Sequence, residues 1–116
     1  MRPILGVDME DLRRFENASE ALVNRILSDL EKPLYEALTS AKRKKEFLGG
    51  RFAAKEAYKK AYQTFERPVA FTEVSVLKNA DGSPTIMSTY KSDDVLLVSI
   101  SHTDDRVIAV VSGETT

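Results

Sequence analysis

Residues 41–65 read AKRKKEFLGGRFAAKEAYKKAYQTF, and their pattern predicts the one long helix of the chain. Apolar residues recur there at the three- and four-residue spacing of a single helix face: Phe47, Ala54, Tyr58, Ala61 and Phe65. Two adjacent glycines, Gly49 and Gly50, lie inside the segment. Each costs about 1 kcal/mol relative to alanine in a helix interior. They therefore indicate either close packing against another backbone or a break in the helix.

The segment before the long helix combines one strand with helices. The short apolar run Ile4-Leu5-Gly6-Val7-Asp8 predicts a strand that ends at Asp8. Apolar residues at helical spacing follow it: Leu12, Phe15, Ala18, Leu22, Ile26 and Leu27. Pro33 and Thr39-Ser40 then interrupt the pattern before the long helix begins.

Beyond Pro68 the pattern changes to the alternation of β-strands. Residues 71–76 alternate and lead into the turn Asn79-Ala80-Asp81-Gly82, which predicts a hairpin. A second hairpin joins residues 95–102 to residues 107–111. These strands are apolar on both faces, so we expect cover on both sides from helices or another subunit. Helices followed by hairpins predict one α+β domain that spans residues 1–116.

The composition is that of a soluble globular domain. The chain has 116 residues, of which 42% are hydrophobic and 30% charged. No apolar run approaches the roughly 20 residues that a membrane helix needs, and neither a signal peptide nor a cysteine indicates export. We therefore expect a cytoplasmic protein without a membrane partner. The net charge of −1 excludes general basicity as a route to nucleic acid, so an anionic partner must be bound by local patches.

Two groups of acidic residues are candidates for metal binding. Asp8 is followed by Glu10 and Asp11, and Glu56 lies one helical turn before Lys60. Spacing alone favours ordinary roles, namely helix capping for the first group and a surface ion pair for Glu56 and Lys60. The alternative is that Asp8 and Glu56 converge on one Mg²⁺, which takes one or two carboxylates together with water and phosphate oxygens.

The histidine and the basic residues carry weaker signals. His102 is the only histidine, at the end of a strand whose alternation places it on one face with Leu96, Val98 and Ile100. A lone histidine there is more often structural, and without cysteine a zinc site is not expected. The basic run at residues 42–45 is usually a solvated helix face. Arg14 and Arg25 share a face if their segment is one helix, with Arg13 beside them. An acidic partner would dock on such a face.

Four stretches of the sequence are informative in combination: Gly6-Val7-Asp8, residues 47–57 (FLGGRFAAKEA), Gly82-Ser83-Pro84 and residues 99–103 (SISHT). In this order and at this spacing they resemble the holo-acyl-carrier-protein synthase family of phosphopantetheinyl transferases. The second and fourth stretches are specific as a pair, whereas the other two are weak alone. The resemblance runs from Gly6 to about Val111, nearly the whole chain.

This resemblance implies the phosphopantetheinyl transferase fold and a defined reaction. The enzyme would transfer 4'-phosphopantetheine from coenzyme A to a serine of apo-acyl-carrier protein, releasing 3',5'-ADP, in fatty acid biosynthesis. It implies that Asp8 and Glu56 bind Mg²⁺ and that Lys60 contacts the phosphates, which makes these three the catalytic residues. Eight residues would bind coenzyme A: Arg51, Phe52, Lys60, Gly82, Pro84, Ser101, His102 and Thr103. The carrier protein would dock on Arg13, Arg14 and Arg25.

The resemblance also implies a homotrimer whose active sites lie between neighbouring subunits. The carboxylates and Lys60 would come from one subunit, and Gly82, Pro84 and His102 from the next. The base that removes the serine proton is left open among Glu56, Asp8 and a metal-bound water, and Glu10 is a further possible metal ligand.

The chain departs from the family pattern at two places. Ser83 stands where the family commonly has lysine or arginine, so one nucleotide contact is missing or supplied elsewhere. Residues 63–68 lack the glycine-rich loop that is common in relatives, which leaves the shape of that rim undetermined.

Two other functions compete with this interpretation. One is a noncatalytic module for nucleotides or single-stranded nucleic acid that uses residues 42–45 with Tyr58 or Tyr62 as stacking platforms. It leaves Asp8, Glu56 and His102 without a role. The other is a structural oligomeric subunit, which would be favoured if the chain bound no coenzyme A.

Overall fold

The computed structural model describes residues 1–116 and has the α+β fold expected from the sequence. It contains three helices: α1 (Glu20–Ile26), α2 (Lys32–Glu36) and α3 (Ala41–Tyr62). It contains five strands: β1 (Arg2–Asp11), β2 (Val74–Lys78), β3 (Pro84–Ser88), β4 (Val95–His102) and β5 (Arg106–Thr115). None of the helices has both the length and the apolar character of a membrane span.

Helix α3 is unbroken, so of the two alternatives for its glycines the break does not occur. The side chain of Ser40 caps its start by accepting a hydrogen bond from the Arg43 backbone N–H at 2.9 Å. The helix ends at Tyr62 rather than at Phe65, because Gln63 has a φ of 67° and leaves the helical conformation. A Cβ at Gly49 would lie 2.5 Å from the Leu12 side chain, so this position is tightly packed against a side chain rather than a backbone.

A three-stranded antiparallel sheet in the order β1-β5-β4 lies under α3. Strand β1 runs to Asp11, which is paired with Arg106, so the predicted strand end at Asp8 is wrong. Asp8 therefore lies within the strand and shares a face with Glu10. The helix approaches this strand closely, since a Cβ on Gly6 would lie 2.0 Å from the carbonyl oxygen of Ala57.

The other two strands form the first predicted hairpin. Strands β2 and β3 pair with each other, and the Gly82 backbone N–H donates to the Asn79 carbonyl at 2.9 Å in their turn. Residues 71–73 form a 3-10 turn and not the start of the strand. The Glu73 side chain accepts a hydrogen bond from the Ala70 N–H, which stabilises this turn.

The two faces of the larger sheet differ in their cover. Its inner face packs on α3 through Ala53, Ala57 and Ala61, which are almost fully buried. Its outer face carries exposed apolar side chains: Leu5, Val7, Met9, Val95, Leu97 and Ile108. The cover expected on both faces is thus present on one face within a single chain.

The segment that carries Arg13, Arg14 and Arg25 is not one continuous helix. A 3-10 turn at Leu12–Phe15 is followed by Asn17, whose φ is 49°, and α1 starts only after its cap at Ser19. The helical face proposed for Arg14 and Arg25 therefore does not exist as such. Tertiary packing determines how Arg14 and Arg25 lie relative to each other.

Candidate active site

A cluster of carboxylates lies where β1 faces α3. Asp8 is buried on the inner face of the sheet, and its Oδ1 accepts a hydrogen bond from Lys60 Nζ at 2.9 Å. Its Oδ2 is buried without any partner. Lys60 forms its ion pair with Asp8, across the helix–sheet contact, and not with Glu56 in its own helix. The surface-pair interpretation of Glu56 and Lys60 is therefore wrong.

Glu10 brings a third carboxylate close to Asp8 and Glu56. Burial raises the pKa of Glu10 to about 7, and the neighbouring carboxylates of Asp8 and Glu56 act in the same direction. The guanidinium of Arg14, which forms an ion pair with Glu10, opposes this rise in pKa. The three acidic groups repel one another, so a cation placed among them would stabilise their charged forms.

The donor set of this cluster fits a hard divalent cation. All candidate ligands are carboxylate oxygens, which Mg²⁺ prefers. The buried Oδ2 of Asp8 has no hydrogen-bond partner within the chain and is therefore available to a cation. No group of three or more acidic, histidine or cysteine side chains is arranged so that it could hold a metal ion. Water and substrate oxygens would have to complete the coordination of a magnesium ion here.

A second feature is a cavity of about 270 Å³ between α3, the β2–β3 hairpin and the end of β4. We call it the basic cavity. Four residues that the sequence singled out line it: Arg51, Gly82, Pro84 and His102. Sequence reasoning missed Glu46 and Lys78 as lining residues and counted Arg43 only as part of the basic run. The basic run at residues 42–45 was the only sequence signal for Arg43, and it does not predict where the Arg43 side chain points.

Arg51 is the most buried cation of the basic cavity. Its guanidinium carbon lies 3.7 Å from the centroid of the Phe47 ring, and its Nε–H has no hydrogen-bond partner. The nearest carboxylate oxygen, Oε2 of Glu31, is 3.9 Å from Nε. Burial lowers the pKa of Arg51, and the charge of Glu31 opposes that shift. A buried guanidinium with an unused donor favours an anionic ligand.

His102 presents one ring nitrogen to the ligand side. Its Nδ1 lies 3.1 Å from the carbonyl oxygen of Thr103, which can only accept, so Nδ1 carries the proton of this hydrogen bond. Glu46 Oε2 is 3.8 Å from the same nitrogen. Nε2 is therefore the nitrogen left for a ligand.

Four predicted coenzyme A residues do not line the basic cavity. Phe52 packs between Phe15 and Phe71, with centroid distances of 5.3 and 5.4 Å. Ser101 is exposed opposite Ile108, and the hydroxyl of Thr103 donates to Asp105 in the β4–β5 turn. Lys60 lies with the carboxylates. In one chain the expected site is thus divided into two parts.

Arg14 and Arg25 come together despite the interrupted helix. They line a shared depression whose other basic residue is Lys59 and whose floor includes Phe52. The Arg14 guanidinium carbon lies 5.0 Å from the centroid of that ring. Arg13 lies apart, paired with Asp11 at 2.6 Å. The depression offers three cations beside aromatic surface.

Two lysines of the basic run at residues 42–45 form ion pairs within the chain. Lys42 pairs with Asp104 at 3.6 Å, and Lys45 pairs with Glu16 at 3.5 Å. Tyr58 and Tyr62, the proposed stacking platforms, are buried in the core with 0% and 2% exposure. A base cannot stack on rings that are enclosed by protein, so the competing nucleic-acid interpretation loses its aromatic contacts.

Comparison with known proteins shows the family to which this chain belongs. Residues 4–111 match the family model described as the 4'-phosphopantetheinyl transferase superfamily, and the chain belongs to this family. Among its relatives is a holo-(acyl-carrier-protein) synthase of Listeria innocua, which is 44% identical over 111 residues and 92% of this chain. The match covers 93% of that relative.

Solved structures of relatives have the same fold. A holo-(acyl-carrier-protein) synthase from Bacillus anthracis in complex with CoA (3',5'-ADP) superimposes with a TM-score of 0.86 and 32% identity, covering 97% of this chain and 96% of that one. The Helicobacter pylori enzyme in complex with coenzyme A superimposes with a TM-score of 0.79 and 26% identity, covering 96% of this chain and 100% of the other.

Proposed function

We propose that this chain transfers 4'-phosphopantetheine from coenzyme A to a serine of an apo-acyl-carrier protein. The observation that carries the proposal is the pairing of a carboxylate cluster with a basic cavity in a chain 44% identical to a holo-(acyl-carrier-protein) synthase. The cavity is lined by the buried guanidinium of Arg51, whose Nε–H has no hydrogen-bond partner. A cationic pocket and a site for a divalent cation both favour the binding of a diphosphate-containing nucleotide.

The basic cavity suits the adenosine 3'-phosphate part of coenzyme A. Arg51, with support from Arg43 and Lys78, supplies the positive charge, and the free Nε2 of His102 supplies a further polar contact. Gly82 and Pro84 bring the backbone of the β2–β3 turn to the rim. Ser83 stands where the family commonly has lysine or arginine and contributes no positive charge there. Lys78 or Arg43, which also line the cavity, supplies that charge instead.

Asp8 and Glu56 are the residues that would hold Mg²⁺, with Glu10 beside them. The bound ion would neutralise charge on the diphosphate oxygens. Lys60, which is 55% exposed and paired with Asp8, would bring its ammonium to the same oxygens. The chain's own contribution is thus to orient the diphosphate between a fixed ammonium and the carboxylate cluster.

The transfer is an in-line displacement at phosphorus. The serine oxygen forms a bond to the β-phosphorus while the bond from that phosphorus to the bridging oxygen breaks, and 3',5'-ADP leaves with the electron pair. A base must take up the serine proton, and the candidates are Glu56, Asp8 and a water molecule. Positioning and electrostatics supply most of the rate enhancement in such reactions.

Mass spectrometry of the carrier protein tests this function directly. An apo-carrier protein incubated with this enzyme, Mg²⁺ and coenzyme A should gain one phosphopantetheine mass, with 3',5'-ADP released in equal amount. A carrier protein whose acceptor serine is replaced by alanine serves as the control and should stay unmodified. Coenzyme A binding without any mass gain would instead identify a noncatalytic binding module.

We further propose that the chain assembles as a homotrimer. The support is the exposed apolar outer face of the sheet, where Leu5 and Met9 are 68% and 65% exposed. Several large apolar side chains exposed together on one sheet face are typical of surfaces that bind protein. Cyclic assembly would also bring the carboxylate cluster of one subunit next to the basic cavity of another.

The carrier protein is proposed to dock on the depression around Arg14 and Arg25. Reversing both charges with Arg14→Glu and Arg25→Glu should raise KM for the carrier protein by about tenfold or more, because attraction to an acidic partner is lost. KM for coenzyme A should change far less, and the difference should shrink at high salt. Steady-state kinetics with each substrate varied in turn measure both constants.

Two further variants control this test. Arg14 also pairs with Glu10, so Arg25→Glu alone, which breaks no ion pair within the chain, separates docking from effects on the carboxylates. Arg2→Glu reverses an exposed charge at the opposite end of β1 and should leave both KM values unchanged. Equal changes in the two KM values for the double variant would show that this depression is not the docking surface.

A further inference from the structure

Glu31 is a fully buried carboxylate that has no place in the transfer chemistry. It lies between α1 and α2 with 0% exposure. Its Oε1 accepts hydrogen bonds from Lys55 Nζ at 2.5 Å and from the Ser28 N–H at 2.8 Å. Its Oε2 accepts from the Val76 N–H at 2.8 Å. Lys55 is equally buried and also donates to the carbonyl oxygen of Ile26 at 2.6 Å.

These contacts connect Glu31 to two walls of the basic cavity. Val76 belongs to β2, which leads into the β2–β3 turn, and Val76 itself lines the cavity. Arg51, one turn before Lys55 on α3, lines it from the other side and has Glu31 as its nearest carboxylate, at 3.9 Å. One carboxylate thus holds the backbone of one wall and faces the main cation of the other.

Glu31 is the carboxylate that compensates the positive charges of the buried Arg51 and Lys55. Burial lowers the pKa of Lys55 and of Arg51, and in both cases the charge of Glu31 opposes that shift. Two buried cations face a single buried carboxylate, so one positive charge remains uncompensated. That charge faces the cavity, because Arg51 lines the cavity while the ammonium of Lys55 is enclosed in its hydrogen bonds.

We propose that Glu31 is a positioning residue for coenzyme A: it holds the Arg51 guanidinium and strand β2 in the arrangement that binds the anionic nucleotide. This inference rests on the proposed function, since it assigns coenzyme A to the basic cavity. Glu31 does not touch the reacting atoms. Its loss should therefore weaken coenzyme A binding and leave kcat and KM for the carrier protein nearly unchanged.

The decisive variant combines Glu31→Gln with Lys55→Met. Glu31→Gln alone would leave two buried cations without a counter-charge, whereas the combination removes one charge of each sign at similar volume. We expect the folded double variant to bind coenzyme A about tenfold more weakly, the effect of one charge-assisted interaction. Isothermal titration calorimetry with coenzyme A and with 3',5'-ADP measures the Kd, and the melting temperature verifies the fold.

A double-mutant cycle tests whether Glu31 acts through Arg51. Arg51→Gln should weaken coenzyme A binding by itself, and adding the Glu31 and Lys55 substitutions to it should cause little further loss. Tyr58→Phe is the matched control, because it removes another buried hydrogen bond of α3, to Ser88 at 2.9 Å, without touching Arg51. It should lower the melting temperature and leave the Kd for coenzyme A unchanged.

The possible results separate this inference from the proposed function. A folded Glu31→Gln, Lys55→Met variant with wild-type Kd, or a loss that simply multiplies with that of Arg51→Gln, overturns the positioning role. If that variant does not fold, Glu31→Asp decides instead: it keeps the charge but retracts it by one methylene, and an unchanged Kd overturns the role equally. Failure of the wild-type chain to bind coenzyme A refutes the proposed function, and the inference falls with it.

Discussion

Asp8→Asn and Glu56→Gln should each lower kcat by roughly a hundredfold or more, the scale of losing a preorganised electrostatic contact to the transferred group. Each substitution removes a negative charge from the carboxylate cluster while hardly altering side-chain volume. Raising the Mg²⁺ concentration should partly rescue either variant, because a weakened site is refilled by mass action. Initial rates of carrier modification across a Mg²⁺ titration measure both effects.

The fold should tolerate these two substitutions, which makes the activity loss interpretable. Asp8→Asn loses an ion pair to the solvent-exposed ammonium of Lys60, and ion pairs with an exposed partner contribute little to stability. Removal of one carboxylate also relieves repulsion with Glu10. We therefore expect the melting temperatures to shift by no more than a few degrees. The matched control is Glu36→Gln, which neutralises an exposed carboxylate on α2 and should keep wild-type activity.

The metal assignment can fail in a clear way. Near-normal kcat in both variants would contradict it, and so would full activity of the wild-type enzyme in excess EDTA. A loss of activity without any response to added Mg²⁺ would point to a role in proton transfer rather than in metal binding.

Mixing Glu56→Gln with His102→Ala should restore activity from two impaired parents. If the carboxylates and the basic cavity meet across an interface, one subunit supplies Glu56 to a site and its neighbour supplies His102. In random cyclic trimers refolded from equal amounts, roughly a quarter of the sites are then intact. The specific activity of the mixture should approach about a quarter of the wild-type value, measured against each parent refolded alone.

The structure of the single chain motivates this experiment. His102 lines the basic cavity, whereas Asp8 and Lys60 lie in a separate cluster that does not line it. If one chain supplied a whole site, every site in the mixture would carry a lesion and no activity would return. Native mass spectrometry must show mixed trimers, and mixed trimers no more active than their parents would refute the shared site while leaving the metal assignment intact.

The sequence by itself predicted the elements that depend on local patterns. The apolar stripe of residues 41–65 predicted α3, and alternation with a turn at residues 79–82 predicted the β2–β3 hairpin. Hydrogen bonds and side-chain periodicity within a segment determine such elements. These elements can therefore be predicted from the local sequence without the rest of the chain. The family resemblance added the candidate residues, and four of them meet in one cavity.

Tertiary structure alone decided how distant segments meet. The pairing of β1 with β5 joins residues about a hundred positions apart, and no local signal announces it. Arg14 and Arg25 share one depression although their helix is interrupted. Glu31 looks like an ordinary surface residue before Lys32 and Pro33, yet it is buried against Lys55. Burial and long-range electrostatics depend on the packed arrangement, so only the folded chain shows which charges must compensate one another.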